Sequence, residues 1–222
     1  MIKAVIFDYG GVVAGKVTDF YIIDEKGEKI SGDPSLKPVA QILGLSYSDF
    51  FSEIGSYIPE WQRGEIEEKV LWERIAAKYR LQLPSEYRSL SGEGFLEIYP
   101  ENQEVVEIIS SLRKQGTLVG LLSNTIEAHA AVNEREGRFT KFDFTILSHQ
   151  VGFRKPEEGI YQKALEKTKL RGIHPPECVY IDDIPDYLEP ARQLGLQTIN
   201  FRNGEHKIDA LKQNLSYLGL NL

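Results

Sequence analysis

The sequence predicts an α/β protein: a doubly wound parallel sheet with a small, mostly helical cap inserted after the first strand. Three observations predict it. Five short segments are near-continuously apolar, as strands covered on both faces must be. Helical patterns lie between the later ones. And more than a hundred residues separate the first strand from the second, against ~30 in an ordinary βαβ unit.

The first strand, Lys3–Phe7, runs into Asp8, with Gly10 and Gly11 close behind. Residues 20–32, "FYIIDEKGEKISG", read as a β-hairpin with "EKGE" at the turn. From Lys37 to about Gly94 the pattern is helical, in "PVAQILGL", "YSDFFSEIGSYI" and "EIEEKVLWERIAAKY". Trp61 and Trp72 there read as a buried stripe. "PENQEVVEIISSLRKQG" has Val105, Ile108, Ile109 and Leu112 at helical spacing and Gly116 as C-cap. Strands follow at Thr117–Leu122, Phe144–Leu147, Cys178–Ile181 and Leu196–Phe201. "PEEGIYQKALEKTKL" and "DYLEPARQLG" supply helices between them, and Pro190 is tolerable only in a first helical turn. The expected domains are a core of residues 1–15 and 95–222 and a cap of residues 16–94.

With 222 residues and 41% hydrophobic content, the chain can bury a proper core. A net charge of -7 and no dense Lys/Arg tract argue against nucleic acid and anionic lipid as partners. Cys178 is the only cysteine, which rules out an internal disulfide and suits a reducing compartment. No stretch approaches the ~20 apolar residues of a membrane span. The N-terminal apolar run breaks at Asp8, unlike a signal peptide. The expectation is a cytoplasmic protein.

In an open α/β sheet, ligands bind at the carboxyl ends of the strands, where the strand order reverses. Those ends deliver Asp8; Ser123, Asn124 and Thr125; Arg154 and Lys155; and Asp182 and Asp183, with Asp186 near. Clustered carboxylates, an amide with hydroxyls, and a lysine suit an anion held on a cation. Carboxylates are hard ligands for Mg²⁺, which shares a substrate's phosphate. Lysine offers a point charge to a phosphoryl oxygen. Gly10 and Gly11 let the backbone approach the phosphate, where free N–H groups form an anion nest.

The set "FDYGGV … LLSNT … RKPEEGIY … VYIDDIPDYLEPARQLG" resembles the four motifs of the haloacid dehalogenase superfamily, in order and spacing. The likeness runs from Ile2 to about Phe201 and is weak in the cap. It is nearest to the subgroup of sugar-1-phosphate phosphatases and the N-terminal domain of soluble epoxide hydrolase. The resemblance implies a Mg²⁺-dependent phosphatase of small phosphorylated metabolites, working through an aspartyl-phosphate. It implies Asp8 as nucleophile and metal ligand, Gly10 as a carbonyl ligand and Asp183 as the acidic ligand. Ser123, Asn124, Lys155 and Gly11 would bind the phosphoryl group.

Two departures stand out. The family usually has a second aspartate two residues after the nucleophile, as general acid and base; here that place is Gly10. An acid often follows the metal-binding one by four residues; here that place is Tyr187, and Asp186 comes one residue early.

Each residue also has a plain reading. Asp8 alone is a turn residue, "SNT" a helix N-cap, Lys155 a solvated lysine and "DDIPD" a capped turn. Those readings would have to coincide at four strand ends on one edge. Arg154 suits an outward salt bridge, Arg63 a cap helix start, and Cys178 a buried core position. His129, His149, His174 and His206 lack metal-ligand spacing, and His149 lies nearest the third motif. Competing functions are metal-free dehalogenation, C–P cleavage using a cap lysine (Lys69 or Lys78), and a degenerate binding protein.

Overall fold

The computed structural model describes residues 1–16, 21–23, 29–31, 33–83, 91–92 and 95–222. Five parallel strands form the central sheet: β1 Ala4–Phe7, β4 Leu118–Ser123, β5 Phe144–Leu147, β6 Cys178–Asp182 and β7 Gln197–Asn200. Their order is β5-β4-β1-β6-β7. All five predicted strands are present, with ends displaced by one residue at most, as ladder ends commonly are. β1 is central, and the chain winds outward from it in both directions. That places the topological switch at the end of β1.

Alternation along β1 serves both faces. Val5 and Phe7 join one layer with Val105, Ile109 and Leu112 of helix α6 (Gln103–Lys114) and Leu211 and Leu215 of α11 (Ile208–Tyr217). Ala4 and Ile6 join the other, with Ile160 and Ala164 of α9 (Glu158–Lys169) and Leu188 and Ala191 of α10 (Pro185–Gln193). Helix α6 starts where predicted, because the Asn102 side chain accepts from the N–H groups of Glu104 and Val105. Pro190 departs from expectation: α10 begins earlier, at Pro185, and Pro190 lies well inside it. The carbonyl that loses its partner there belongs to Asp186, an exposed residue, so water can serve it.

The segment after β1 holds the antiparallel pair β2 Tyr21–Ile23 and β3 Lys29–Ser31, the predicted hairpin strands. Their turn lies outside the described residues. Helices α1 Lys37–Ile42, α2 Tyr47–Gly55, α3 Ile58–Gln62 and α4 Glu68–Tyr79 follow. They enclose a second core around Phe50, Ile54, Trp61, Leu71 and Trp72, which Ile126 and Ala128 join from beyond the insert. Trp61 and Trp72 meet edge to face at 5.3 Å. The short α5, Phe95–Ile98, leads back to the sheet; α7, Glu127–Arg135, and α8, Ser148–Val151, complete the set.

The cap helices dock on the core beside α8. Arg154 Nε donates to Gln62 Oε1 at 3.0 Å, and Arg63 Nη1 to Glu157 Oε1 at 2.9 Å. Gly64, at φ +71°, passes so close to α8 that a Cβ would lie 2.3 Å from the His149 carbonyl oxygen. No helix among the described residues is long and apolar enough to cross a membrane.

Candidate active site

Because β1 lies between β4 and β6, the residues that leave these three strands stand side by side. Asp8 follows β1, Ser123 ends β4, and Asp182 ends β6. Lys155 reaches them from the loop between α8 and α9. Its ammonium is buried, 2.7 Å from Asp8 Oδ1 and 2.8 Å from Asp182 Oδ2. Asn124 clasps the main chain of that loop from both sides: its Oδ1 accepts from the Lys155 N–H (2.7 Å), and its Nδ2 donates to the Lys155 carbonyl (3.0 Å).

Asp182 has no oxygen to spare. Oδ1 accepts from the Ile184 N–H at 2.8 Å, and Oδ2 from Lys155 and the Tyr180 hydroxyl. Its place is to hold Lys155. Asp183 is also buried, and its carboxylate packs on Gly11. A Cβ on Gly11 would lie 2.7 Å from Asp183 Oδ2, and its φ of +77° disfavours any other residue. Gly11 therefore makes room for a carboxylate. Its predicted place in an anion nest is not met, because its N–H donates to the Ala14 carbonyl. The Tyr9 and Gly10 N–H groups, by contrast, find no acceptor among the described residues.

Asp8, Asp182 and Asp183 bring one oxygen each within 4.8 Å of one another. One ammonium faces three carboxylates, so the site is short of positive charge. Burial, more than the neighbouring carboxylates Asp182 and Asp183, drives the Asp8 carboxyl well above its usual range, with Lys155 opposing. Burial and then Asp182 push Asp183 up to about 6. For Lys155, burial favours the neutral amine, but Asp182 and Asp8 outweigh it and hold the ammonium above its ordinary value. The donor set is all oxygen, hard and anionic, and fits a small divalent cation. Among the described residues Asp8 Oδ2 and the Gly10 carbonyl accept from no N–H or lysine, while the Asp183 carboxylate lies against Asp8 and its own main-chain N–H.

A cavity of about 220 Å³ opens over this cluster. It is lined by the predicted Asp8, Gly10, Ser123, Asn124, Lys155 and Asp183. It is also lined by Asp33, Gln62, Phe95, Tyr99, His129 and Tyr187, to which the sequence assigned no substrate contact. A roomier groove of about 1100 Å³ lies at the opposite ends of the strands and holds none of the cluster.

Several plain readings fall away. Ser123, Asn124 and Thr125 cap no helix, since α7 is entered at Ile126 without a side-chain cap. Lys155 is not solvated. Asp186 is exposed and off the cavity. Arg63 and His149 do not line it either, whereas Gln62 and His129 do. Cys178 is buried, as expected. Asn124, expected on the phosphoryl group, has its carbonyl and one amide N–H committed to Lys155 and is first a positioning residue.

Comparison with known proteins agrees with this geometry. Phosphatase MT3486 of Mycobacterium tuberculosis is 26% identical over 98% of this chain and 95% of its own length. Bifunctional epoxide hydrolase 2 of Sus scrofa is 30% identical over half of this chain, which spans a fifth of that larger protein. A HAD family enzyme from Bacteroides thetaiotaomicron, solved with magnesium and inorganic phosphate, superposes with a TM-score of 0.72 at 19% identity, covering 95% of this chain and 99% of that one. The family model for haloacid dehalogenase-like hydrolases matches residues 2–195. Since that stretch takes in the sheet's central strands, the inserted cap and every member of the carboxylate–lysine cluster, the chain belongs to the haloacid dehalogenase-like hydrolases.

Proposed function

We propose that this hydrolase is a Mg²⁺-dependent phosphatase of small phosphomonoesters, acting through an aspartyl-phosphate on Asp8. The observation that carries the reading is the buried cluster in which one lysine faces three carboxylates beneath a small cavity. The phosphatase relative and the neighbour solved with magnesium and phosphate support it.

On this reading Asp8 Oδ2 attacks phosphorus while Lys155 holds Oδ1 and fixes the carboxylate in line. The Tyr9 and Gly10 N–H groups and the Ser123 hydroxyl donate to the phosphoryl oxygens. The P–O bond to the leaving group breaks, and the departing oxygen takes a proton from solvent water, since no side-chain acid stands at Gly10. Water then attacks the aspartyl-phosphate, releasing phosphate and restoring the Asp8 carboxylate. Asp8, Asp183 and the Gly10 carbonyl would hold Mg²⁺, which supplies positive charge that keeps the carboxylates ionised and polarises the phosphoryl group.

Other chemistries of the family fit less well. A dehalogenase needs no metal, and its carboxylate substrate would meet three buried carboxylates. C–P cleavage would need a cap lysine in the cavity. Lys69 pairs with Glu73 and Lys78 with Glu53, both on the exposed side, and neither lines the cavity.

The test is phosphate release from phenyl phosphate with Mg²⁺ and with chelator. Turnover is expected only with metal. Asp183→Ala is expected to raise the Mg²⁺ concentration for half-activity by about tenfold or more. Metal-independent turnover, or an unshifted titration in the folded variant, would overturn the metal assignment. No turnover of any phosphomonoester would favour a binding protein.

Gly10 sets a second expectation. A general acid contributes ~10²–10⁴-fold, and none stands at this position. Turnover should therefore depend steeply on leaving-group acidity, favouring anomeric sugar, aryl and acyl phosphates over alkyl ones. Gly10 does not occupy the left-handed region, so aspartate can be placed there without that strain. Gly10→Asp is expected to raise kcat/KM for alkyl phosphates more than for aryl ones. Equal effects on both would show that another acid already serves.

A further inference from the structure

One wall of the cavity is left unused by the phosphoryl chemistry. Tyr99, Phe95 and His129 stack there in sequence, with ring centroids 4.6 Å and 4.2 Å apart. The Tyr99 hydroxyl reaches Asp33 directly, and the His129 ring reaches Ser35, whose hydroxyl donates to Asp33. Asp33 Oδ1 accepts from the Ser35 N–H (2.9 Å), the Ser35 hydroxyl (2.6 Å) and the Tyr99 hydroxyl (2.7 Å). The Asp33 carbonyl accepts from the Tyr47 hydroxyl at 2.9 Å. His129 Nε2 lies 3.0 Å from the Ser91 carbonyl, which can only accept, so the ring proton sits on Nε2. The same N–H also approaches Ser35 Oγ at 3.2 Å.

The carboxylate is thus fixed in place by donors that all fall on one oxygen. Asp33 Oδ2 accepts from nothing among the described residues. Among the described residues that line the cavity or flank it, no cation is free to pair with it. Lys155 is committed to Asp8 and Asp182, Arg154 to Gln62, and Arg63 to Glu65 and Glu157. His129 is kept neutral, since burial lowers its pKa. Among the described residues this oriented acceptor has no donor, and Asp33 lines the cavity, so a ligand hydroxyl or ammonium can take the place of water on it.

Resting on the phosphatase reading above, we propose that Asp33 is a specificity-determining residue, taking a hydrogen bond from a hydroxyl or ammonium on the leaving group. The substrate class is then the small phosphomonoester whose leaving group carries a second hydroxyl or an ammonium, its alkyl members being turned over more slowly for want of a general acid. The cavity's size of about 220 Å³ suits a ligand of few carbons.

The test compares three substrates whose leaving groups match in length: glycerol 1-phosphate, 3-aminopropyl phosphate and propyl phosphate. A hydrogen bond to a charged group is worth roughly 10- to 100-fold in an equilibrium or rate ratio. Wild-type kcat/KM for one of the first two is expected to exceed that for propyl phosphate by about tenfold or more. Which of the two is favoured identifies the donor. Asp33→Asn keeps a carbonyl for Ser35 and Tyr99 but turns the free oxygen into an amide donor. That preference should then fall to within about threefold, mainly through KM. Asp33→Ser, which retains a capping oxygen, should do the same. A structural role alone would lower all three substrates together and leave their ratios unchanged, which overturns the proposal. So does a wild type that does not discriminate, or one that hydrolyses phenyl phosphate but none of the three; the phosphatase reading then survives. A wild type inactive on phenyl phosphate as well removes that reading and this inference with it.

Discussion

Asp8→Asn is expected to lower turnover by at least ~10³-fold, yet leave the metal-free protein no less stable than wild type. An amide is a poor nucleophile and a poor ligand for Mg²⁺, so two roles fail together. The stability half follows from the electrostatics. The Asp8 carboxyl is raised well above its ordinary value, first by burial. A carboxyl with a raised folded pKa keeps its proton in the folded state at pH values where the unfolded chain has released it. Stability therefore falls as pH rises from the unfolded value toward the folded one. At neutral pH the charge on Asp8 costs stability, and asparagine removes that cost while Lys155 retains Asp182. Thermal melts in chelator should show no loss. Melts with Mg²⁺ should show wild type gaining more than the variant, because a ligand stabilises only the state that binds it. Retention of a tenth of wild-type turnover in folded Asp8→Asn would falsify the nucleophile assignment.

Lys155→Met should cost both activity and stability. Lys155 is 1% exposed and stands against two carboxylates that are themselves buried. Removing one partner of a buried ion pair leaves an uncompensated charge and costs about 3–5 kcal/mol. The methionine fills most of the volume, so the loss is electrostatic rather than a cavity. Without the ammonium, which pulls Asp8 down, the Asp8 carboxyl rises further. The destabilisation should therefore grow with rising pH and shrink as acid protonates Asp8. Urea midpoints at two pH values would measure this. Turnover should fall with them, since a protonated Asp8 cannot attack phosphorus. A variant with wild-type midpoints would mean that Lys155 does not carry the charge balance of the site.

Much of this protein is legible in its sequence. Burial on both faces forces a parallel strand to be apolar throughout, so all five strands could be read along the chain. The carboxyl ends of adjacent parallel strands must share one edge, so Asp8, Ser123 and Asp183 could be placed together with Lys155. The long gap after β1 announced an insertion, and its Trp61 and Trp72 announced a core within it. These are consequences of local spacing and of topology.

Partner choice is a different matter, because it depends on which atoms meet through space. Nothing in "SNT" says that Asn124 clasps the Lys155 main chain instead of capping a helix. Nothing in "DD" says that Asp182 spends both oxygens on Lys155, Tyr180 and Ile184, leaving Asp183 for other work. Gly11 reads as a phosphate-loop glycine, and only the packing reveals that it gives way to the Asp183 carboxylate. Asp33, Phe95, Tyr99 and His129 carried no motif at all. They come from the cap's entry, its return and α7, segments far apart in sequence, and meet Asp8 because the inserted helices fold back over the end of the sheet. Periodicity records which side of an element is buried, but not what it is buried against, and the wall facing the nucleophile is made entirely of such contacts.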